Sequence, residues 1–275
     1  MLKRLVQEEG LFADLFHDGS GQPRKAIVLL GGSEGGKTWS GYAIKRPVDH
    51  LVGLGYTLLS LAYFKSPGLP PYLEEIPLEY FENAFAWLAT QPEVISDELA
   101  ILGGSKGAEV ALLLGSMNSR IKAVVALSPS SVVWPGIPKK GVDMRTARRS
   151  SWAFRGKGLP FVPDGISSWN SWTLLSTFLF GTLHKAYEKA LQNKSQVEEA
   201  IIPVEKIQGS ILLISGRRDQ MWPSTLMSEQ IMSRLSAKGF AHHHEHIAYD
   251  TGHNGPVMKK DSWRAISAFL KRHYN

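Results

Sequence analysis

The sequence predicts an α/β domain: a mostly parallel central sheet with helices on both faces, an N-terminal hairpin and a lid insertion. Three observations carry that expectation. Short β-rich runs alternate with longer helical patterns, as they do where crossover helices join parallel strands. Four of the runs are continuously apolar, which suits strands covered on both sides: Ile27-Val28-Leu29-Leu30, Leu99-Ala100-Ile101-Leu102, Val124-Val125-Ala126-Leu127 and Ile211-Leu212-Leu213-Ile214. These four are expected at the sheet centre. Finally, about eighty residues separate the run ending at Leu127 from the one starting at Ser210, far more than a plain strand-to-helix connection needs.

Taken in order, the runs 2–6 and 11–16 flank Glu8-Glu9-Gly10 and read as an antiparallel hairpin at the sheet edge. Strands are then expected at 26–30, 56–62, 98–102, 123–127, 210–215 and 244–249. Helices are expected at 40–54, at 77–90 with Pro77 in the first turn, at 106–117, at 224–238 ending before Gly239, and at 257–273. The insertion is taken as 129–200 within a single domain of residues 1–275. Inside it, 152–161 reads as a small hairpin and 171–191 as a helix.

Composition excludes several function classes. With 43% hydrophobic, 10% aromatic and 20% charged residues, the chain can bury one large core and is no disordered polyelectrolyte. Lys and Arg number 31 against 25 Asp and Glu, a formal charge of +6. The surplus is local: Lys139, Lys140, Arg145, Arg148, Arg149, Arg155 and Lys157 face a single acid, Asp143, between 136 and 160. Such a patch suits a polyanionic small molecule, and no nucleic-acid partner is expected. The absence of cysteine excludes disulfides, thiolate metal sites and a thiol nucleophile. The first ten residues lack the apolar run of a secretory signal, and the apolar stretch 172–183 is short of the roughly 20 residues of a membrane span. A cytoplasmic protein without a membrane span is therefore expected, and its oligomeric state is left open.

The chemistry concentrates in Gly103-Gly104-Ser105-Lys106-Gly107, a Gly-X-Ser-X-Gly turn between an apolar run and a helical one. In that context the turn is a nucleophile elbow, which presents a hydroxyl at the carboxyl end of the sheet and at a helix amino terminus. A serine hydroxyl is a weak nucleophile alone, so the elbow requires a base and a carboxylate further along. Asp219 follows the strand at 210–215, and His253 follows the strand at 244–249, in the order Ser, acid, His. Asp250 is the rival acid, but it precedes His253 by only three residues. Two backbone amides are expected to hold an oxyanion, those of Lys106 and of Ser33, with Gly31 and Gly32 keeping the Ser33 loop close to the sheet.

That same loop raises a different possibility. Gly31-Gly32-Ser33-Glu34-Gly35-Gly36-Lys37-Thr38 fits the phosphate-binding pattern G-x-x-x-x-G-K-[ST]. A nucleoside triphosphatase would also need an Asp ending an apolar strand to hold magnesium, and no run here ends that way. His242, His244 and His246 would share one face of a strand, yet they lack a further positioned ligand, so no metal and no cofactor is expected.

Further segments are more specific than the elbow: Leu61-Ala62-Tyr63-Phe64, Pro77-Leu78-Glu79-Tyr80-Phe81, Gly104-Ser105-Lys106-Gly107-Ala108-Glu109, Ile202-Pro203-Val204-Glu205-Lys206-Ile207, Asp219-Gln220-Met221-Trp222-Pro223-Ser224 and Thr251-Gly252-His253. In these the chain resembles, nearly end to end, the C-terminal catalytic domain of the acyl-CoA thioester hydrolase and bile acid-CoA:amino acid N-acyltransferase family. The resemblance implies an α/β-hydrolase fold, a triad of Ser105, Asp219 and His253, and fatty acyl-CoA as substrate class. Amino-acid-conjugating members place Cys where Ser105 stands, so the resemblance points to hydrolysis here.

The expected reaction is therefore cleavage of an acyl thioester or ester through an acyl-enzyme on Ser105. Candidate substrate-binding positions are Gly32 and Trp222, Trp134 in the lid, and Arg145, Arg148 and Arg149, whose guanidinium groups suit CoA phosphates. A carboxylesterase, lactonase or peptidase would use the same triad. A phosphate-loop nucleotide-binding protein and a non-catalytic binding module are the remaining alternatives.

Overall fold

The computed structural model describes residues 1–139, 142, 148–166 and 171–275. The chain opens with β1 (Leu2–Val6), β2 (Phe12–His17) and β3 (Arg24–Leu30). Two short 3-10 turns, Thr38–Ser40 and Tyr42–Ile44, lead into α1 (Lys45–Gly53) and β4 (Tyr56–Ala62). Next come β5 (Ile76–Pro77), α2 (Leu78–Ala89), β6 (Val94–Gly104), α3 (Lys106–Met117) and β7 (Ile121–Leu127). The insertion contributes β8 (Trp152–Phe154), β9 (Lys157–Gly158), α4 (Ser171–Phe180), α5 (Thr182–Ala190) and α6 (Lys194–Ala200). The chain then returns through β10 (Ser210–Gly216), α7 (Ser224–Ala237), β11 (His244–Tyr249), α8 (Gly255–Met258) and α9 (Lys260–His273).

The main sheet has the order β1-β2-β4-β3-β6-β7-β10-β11. From β4 to β11 every pairing is parallel, and β1 and β2 run antiparallel at one edge. The four continuously apolar runs occupy the centre, as predicted, because only central strands bury both faces. Side chains divide between those faces with period two. Ala26, Val28 and Leu30 pack with Phe81, Phe85, Leu112 and Ile231 of α2, α3 and α7. Ile27 and Leu29 pack with Val48, Leu51, Ile266 and Phe269 of α1 and α9. Each fully buried side chain of this size contributes about 1.5–3 kcal/mol relative to exposure.

Three helices differ from expectation. The segment 40–54 begins as 3-10 turns and becomes helical only at Lys45, where Pro47 sits in the first turn and sacrifices no helical hydrogen bond. The helix expected over 257–273 is two helices, α8 and α9, separated by Lys259 in an extended conformation. The helix expected over 171–191 breaks at Gly181, whose left-handed backbone (φ 61°) ends α4 and starts α5. The hairpin expected at 152–161 is present as β8 and β9, and β8 also pairs with β5 in a second, three-stranded sheet.

The insertion has its own core, in which Trp134, Val162, Leu183 and Tyr187 pack on Trp222 and Met227 beyond β10. On α4, by contrast, Trp172, Leu175, Leu179 and Phe180 are exposed. Among the described residues no helix is long and apolar enough to cross a membrane.

Candidate active site

β6, β7, β10 and β11 are neighbours in the sheet, so the loops leaving their carboxyl ends converge on one rim. Ser105 lies at the turn from β6 into α3 with φ 54° and ψ −118°, a region that a side chain occupies at a cost of about 1–3 kcal/mol. Its N–H donates to the Leu127 carbonyl at 2.8 Å, which ties the elbow to β7. The flanking glycines are required by close approach rather than by flexibility. A Cβ at Gly103 would stand 2.1 Å from the Gly107 carbonyl oxygen, and one at Gly107 would stand 2.3 Å from the Leu30 and Gly31 oxygens.

His253 joins the other two predicted residues. Its Nε2 lies 2.9 Å from Ser105 Oγ, and its Nδ1 lies 2.8 Å from Asp219 Oδ2. A carboxylate only accepts, so the imidazole proton sits on Nδ1 and Nε2 is left to accept the Ser105 hydroxyl. Asp219, 3% exposed, is itself held by three further donors: the Met221 and Trp222 amides on Oδ1, at 2.9 and 3.3 Å, and the Ser224 hydroxyl on Oδ2 at 2.7 Å. The Ser128 hydroxyl donates to the His253 carbonyl at 2.6 Å and fixes the loop after β11. Asp250, the rival acid, is exposed and paired with Arg218 at 2.7 Å.

Beside the pair Ser105–His253 lies a cavity of about 550 Å³, lined among others by Ser33, Lys106, Tyr187, Met221 and Trp222. Ser33 and Lys106, the two amides expected to meet an oxyanion, thus border the same space as the Ser105 hydroxyl. Lys106 opens α3, where backbone N–H groups have no carbonyl one turn earlier to bond. Gly32 directs its N–H to Glu34 Oε1 at 2.9 Å and borders a second cavity on the other side of Ser105.

The sequence reading missed what the Lys106 side chain does. Its ammonium is buried with Glu109, at 3.1 and 3.0 Å from the two carboxylate oxygens, and also donates to Ser151 Oγ at 2.7 Å. Glu109 Oε1 accepts from the Trp134 amide at 3.2 Å and the Trp152 indole at 2.8 Å. Burial pushes the Glu109 carboxyl up and the Lys106 ammonium down, and each partner's charge opposes the shift. The available signal was a Lys and a Glu three apart in a helix with no other charged residue. His184 was missed as well: its Nδ1 donates to the Asp219 carbonyl at 2.6 Å and anchors α5 beside the acid loop.

The remaining expected positions divide. Trp222 lines the first cavity, with its ring 5.7 Å from that of His253. Trp134 is fully buried behind Tyr187, the rings 4.6 Å apart, so Tyr187 borders the cavity in its place. Arg148 is not presented to a substrate; it is largely buried against Asp164 and the Ile166 carbonyl. Arg149 is exposed and pairs with Glu75 at 3.2 Å. Arg145 lies outside the described residues. Lys37 of the Gly-rich loop turns away to Asp14, 2.7 Å distant, and Thr38 donates to Gly35. His246 pairs with Ser215 Oγ at 2.8 Å, and among the described residues no group of three or more His, Asp or Glu is arranged to hold a metal ion.

Against known proteins, a family model described as BAAT / acyl-CoA thioester hydrolase C terminal matches residues 76–256, which include Ser105, Asp219 and His253. The acyl-coenzyme A thioesterase 1 of Mus musculus is 28% identical over 237 residues, covering 85% of this chain and 49% of that protein. The acyl-coenzyme A amino acid N-acyltransferase 1 of Mus musculus is 27% identical over 234 residues, covering 85% and 49%. The chain thus spans about half the length of these curated relatives. A solved esterase of Pyrococcus furiosus superposes with a TM-score of 0.61 at 18% identity, over 100% of this chain and 93% of that one. With the sheet topology, that likeness gives the α/β-hydrolase fold.

Proposed function

The chain belongs to the BAAT / acyl-CoA thioester hydrolase C-terminal family, and from that premise we propose that it cleaves acyl-CoA to a free acid and CoA through an acyl-enzyme on Ser105. The observation that carries the proposal is the unbroken hydrogen-bonded line Ser105 Oγ, His253, Asp219, with contacts of 2.9 and 2.8 Å. Asp219 sets the imidazole tautomer, His253 Nε2 takes the hydroxyl proton, and Ser105 Oγ attacks the thioester carbonyl. The oxygen of the tetrahedral intermediate rests on the Ser33 and Lys106 amides; loss of one such donor typically costs about 3–4 kcal/mol of transition-state stabilisation. As the intermediate collapses the C–S bond breaks and the imidazolium gives its proton to the departing CoA sulfur, a leaving group of pKa about 8.5 that needs less such help than an alcohol. Neutral His253 then takes a proton from water, the water oxygen bonds to the acyl carbon, and the bond to Ser105 Oγ breaks as His253 returns a proton to Oγ and the acid is released.

Residues 129–200 serve as the lid in this reading. Support comes from Pro135, Ile137, Leu183 and Tyr187, which supply one part of the cavity wall. Among the described residues, the exposed cations of this segment include Lys139, Arg149, Arg155 and Lys157, whose charge suits the phosphates of CoA. An oxyester on Ser105 is a less willing acyl donor to amines than a thioester on Cys, which favours water over an amino acid as the final acceptor.

The test is thiol release from a panel of acyl-CoA thioesters, beside p-nitrophenyl esters, with Ser105→Ala as control. The chain has no cysteine, so a thiol-reactive chromophore reports only CoA. Release from thioesters, lost in Ser105→Ala and giving free acid even with glycine or taurine present, is expected. Turnover of simple esters alone would assign the site to a carboxylesterase.

A further inference from the structure

Two cavities meet at the nucleophile. The first, described above, contains Ser33 and Lys106. The second, about 480 Å³, shares with it Ser105, His253, Glu34 and Asn254, and continues between the 3-10 turns at 38–44 and α8. Its distinctive walls are Trp39, Ile44, Leu127, Val257 and Met258, and its lining contains no Lys or Arg. Trp39, Ile44 and Leu127 are 3%, 7% and 0% exposed, so these walls belong to the packed core, and Trp39 is braced edge-on by Trp263 at 5.9 Å. Met258, 63% exposed, marks the rim.

An acyl thioester has one apolar branch and one polyanionic branch at its reacting carbon, and the two must leave that carbon in different directions. Ser33 and Lys106, whose amides are proposed to hold the oxyanion, line the first cavity, which has apolar walls from Ile137, Leu183, Met221 and Trp222 but, unlike the second, also contains the cations Lys106 and Arg218. The second offers aliphatic and aromatic surface and no cation to meet a phosphate. Apolar area gains about 25 cal/mol per Å² on leaving water, whereas a phosphate placed there would lose its hydration without a partner. We infer that the second cavity is the acyl-chain site, with Val257 and Met258 governing chain-length preference, and that the leaving group departs through the first. The inference rests on Ser105 being the acyl acceptor.

Chain-length selectivity tests it, read as the ratio of kcat/KM for octanoyl-CoA to that for acetyl-CoA. Filling the cavity with Val257→Trp is expected to lower the ratio about tenfold or more, since single methylene contacts in apolar pockets are worth factors of that order. Met258→Trp, at an exposed position of α8, is expected to lower it about threefold. Gln220→Trp, at an exposed position of the first cavity, is expected to slow both substrates and leave the ratio within about twofold. An unchanged ratio in both Val257→Trp and Met258→Trp, or a collapse of the ratio in Gln220→Trp, would overturn the assignment. If the wild-type protein cleaves only p-nitrophenyl esters, the thioesterase reading fails by itself, and the octanoate-to-acetate ratio on those esters decides the cavity question separately.

Discussion

Two regions of the molecule meet above Ser105 and are held by different means. At the carboxyl edge of the sheet each member of the proposed triad is restrained from several sides: Asp219 accepts four hydrogen bonds, Ser128 holds the His253 carbonyl, and the Ser105 amide is tied to β7. In the insertion, α4 leaves Trp172, Leu175, Leu179 and Phe180 open, and Arg149 reaches Glu75 from an exposed position. The contrast teaches where precision is needed. Proton transfer demands fixed distances, which a parallel sheet provides; the lid role proposed for the insertion makes no such demand on its exposed side chains. The buried Lys106–Glu109 pair is the seam between them, joining the first turn of α3 to Trp134, Ser151 and Trp152.

The largest expected effect comes from the rigid side. Asp219→Asn removes the acceptor that holds the proton on Nδ1, and kcat for acyl-CoA is expected to fall on the order of 10⁴-fold with the fold intact. A drop below about tenfold would place the orienting acid elsewhere and dissolve the contrast.

At the seam, Lys106→Met leaves the Glu109 carboxylate buried and unpaired, and urea unfolding is expected to show a loss of about 3–5 kcal/mol. Lys106→Met with Glu109→Leu replaces the pair by apolar volume and is expected to recover most of it. Equal losses in the two proteins would mean that packing alone joins the regions.

Lys37→Met tests the Gly-rich loop. Burial raises the Asp14 carboxyl, but the hydrogen bond from Lys37 and the charges of Lys37 and Lys3 outweigh it and leave Asp14 below its ordinary value. A depressed carboxyl stabilises the fold above its unfolded pKa and loses that contribution as pH falls through the folded value. Without Lys37 the depression shrinks, so acid unfolding is expected to begin at higher pH, with about 1–3 kcal/mol lost at neutral pH. Thioester turnover is expected to stay within about twofold, because Lys37 contacts Asp14 and not the rim; dependence of turnover on Lys37 would revive a phosphate-binding role.

The smallest effect lies in the insertion. Arg149 is 64% exposed at its side chain, so Arg149→Ala is expected to change stability by no more than about 0.5 kcal/mol. KM for acyl-CoA is expected to rise about threefold at low salt and to converge with wild type near 0.5 M salt, where exposed charges are screened. No KM difference at any ionic strength would remove Arg149 from the CoA contact.

Much of the rigid region was legible in the sequence, because its signals are local. Four continuously apolar runs marked the central strands, and Gly103 to Gly107 marked an elbow whose glycines are forced by backbone approach. Ser105, Asp219 and His253 were each identifiable from their place after a strand. The insertion was less legible, since its contacts are tertiary. Nothing local tells that Arg148 is spent on Asp164 or that Trp134 stands behind Tyr187. Gly181, placed inside an apolar run, was an unused signal for the break between α4 and α5. The second cavity was invisible for the same reason: Trp39, Leu127 and Val257 come from three distant stretches of chain that only the folded sheet brings together.

The central claim is that Ser105 is a nucleophile activated by His253. Labelling with a fluorophosphonate, followed by mass-spectrometric peptide mapping, tests it most directly. A single adduct on Ser105, formed by the wild-type protein and abolished in His253→Ala, is expected. A wild-type protein that stays unlabelled, or that carries the adduct on another residue, would contradict the account.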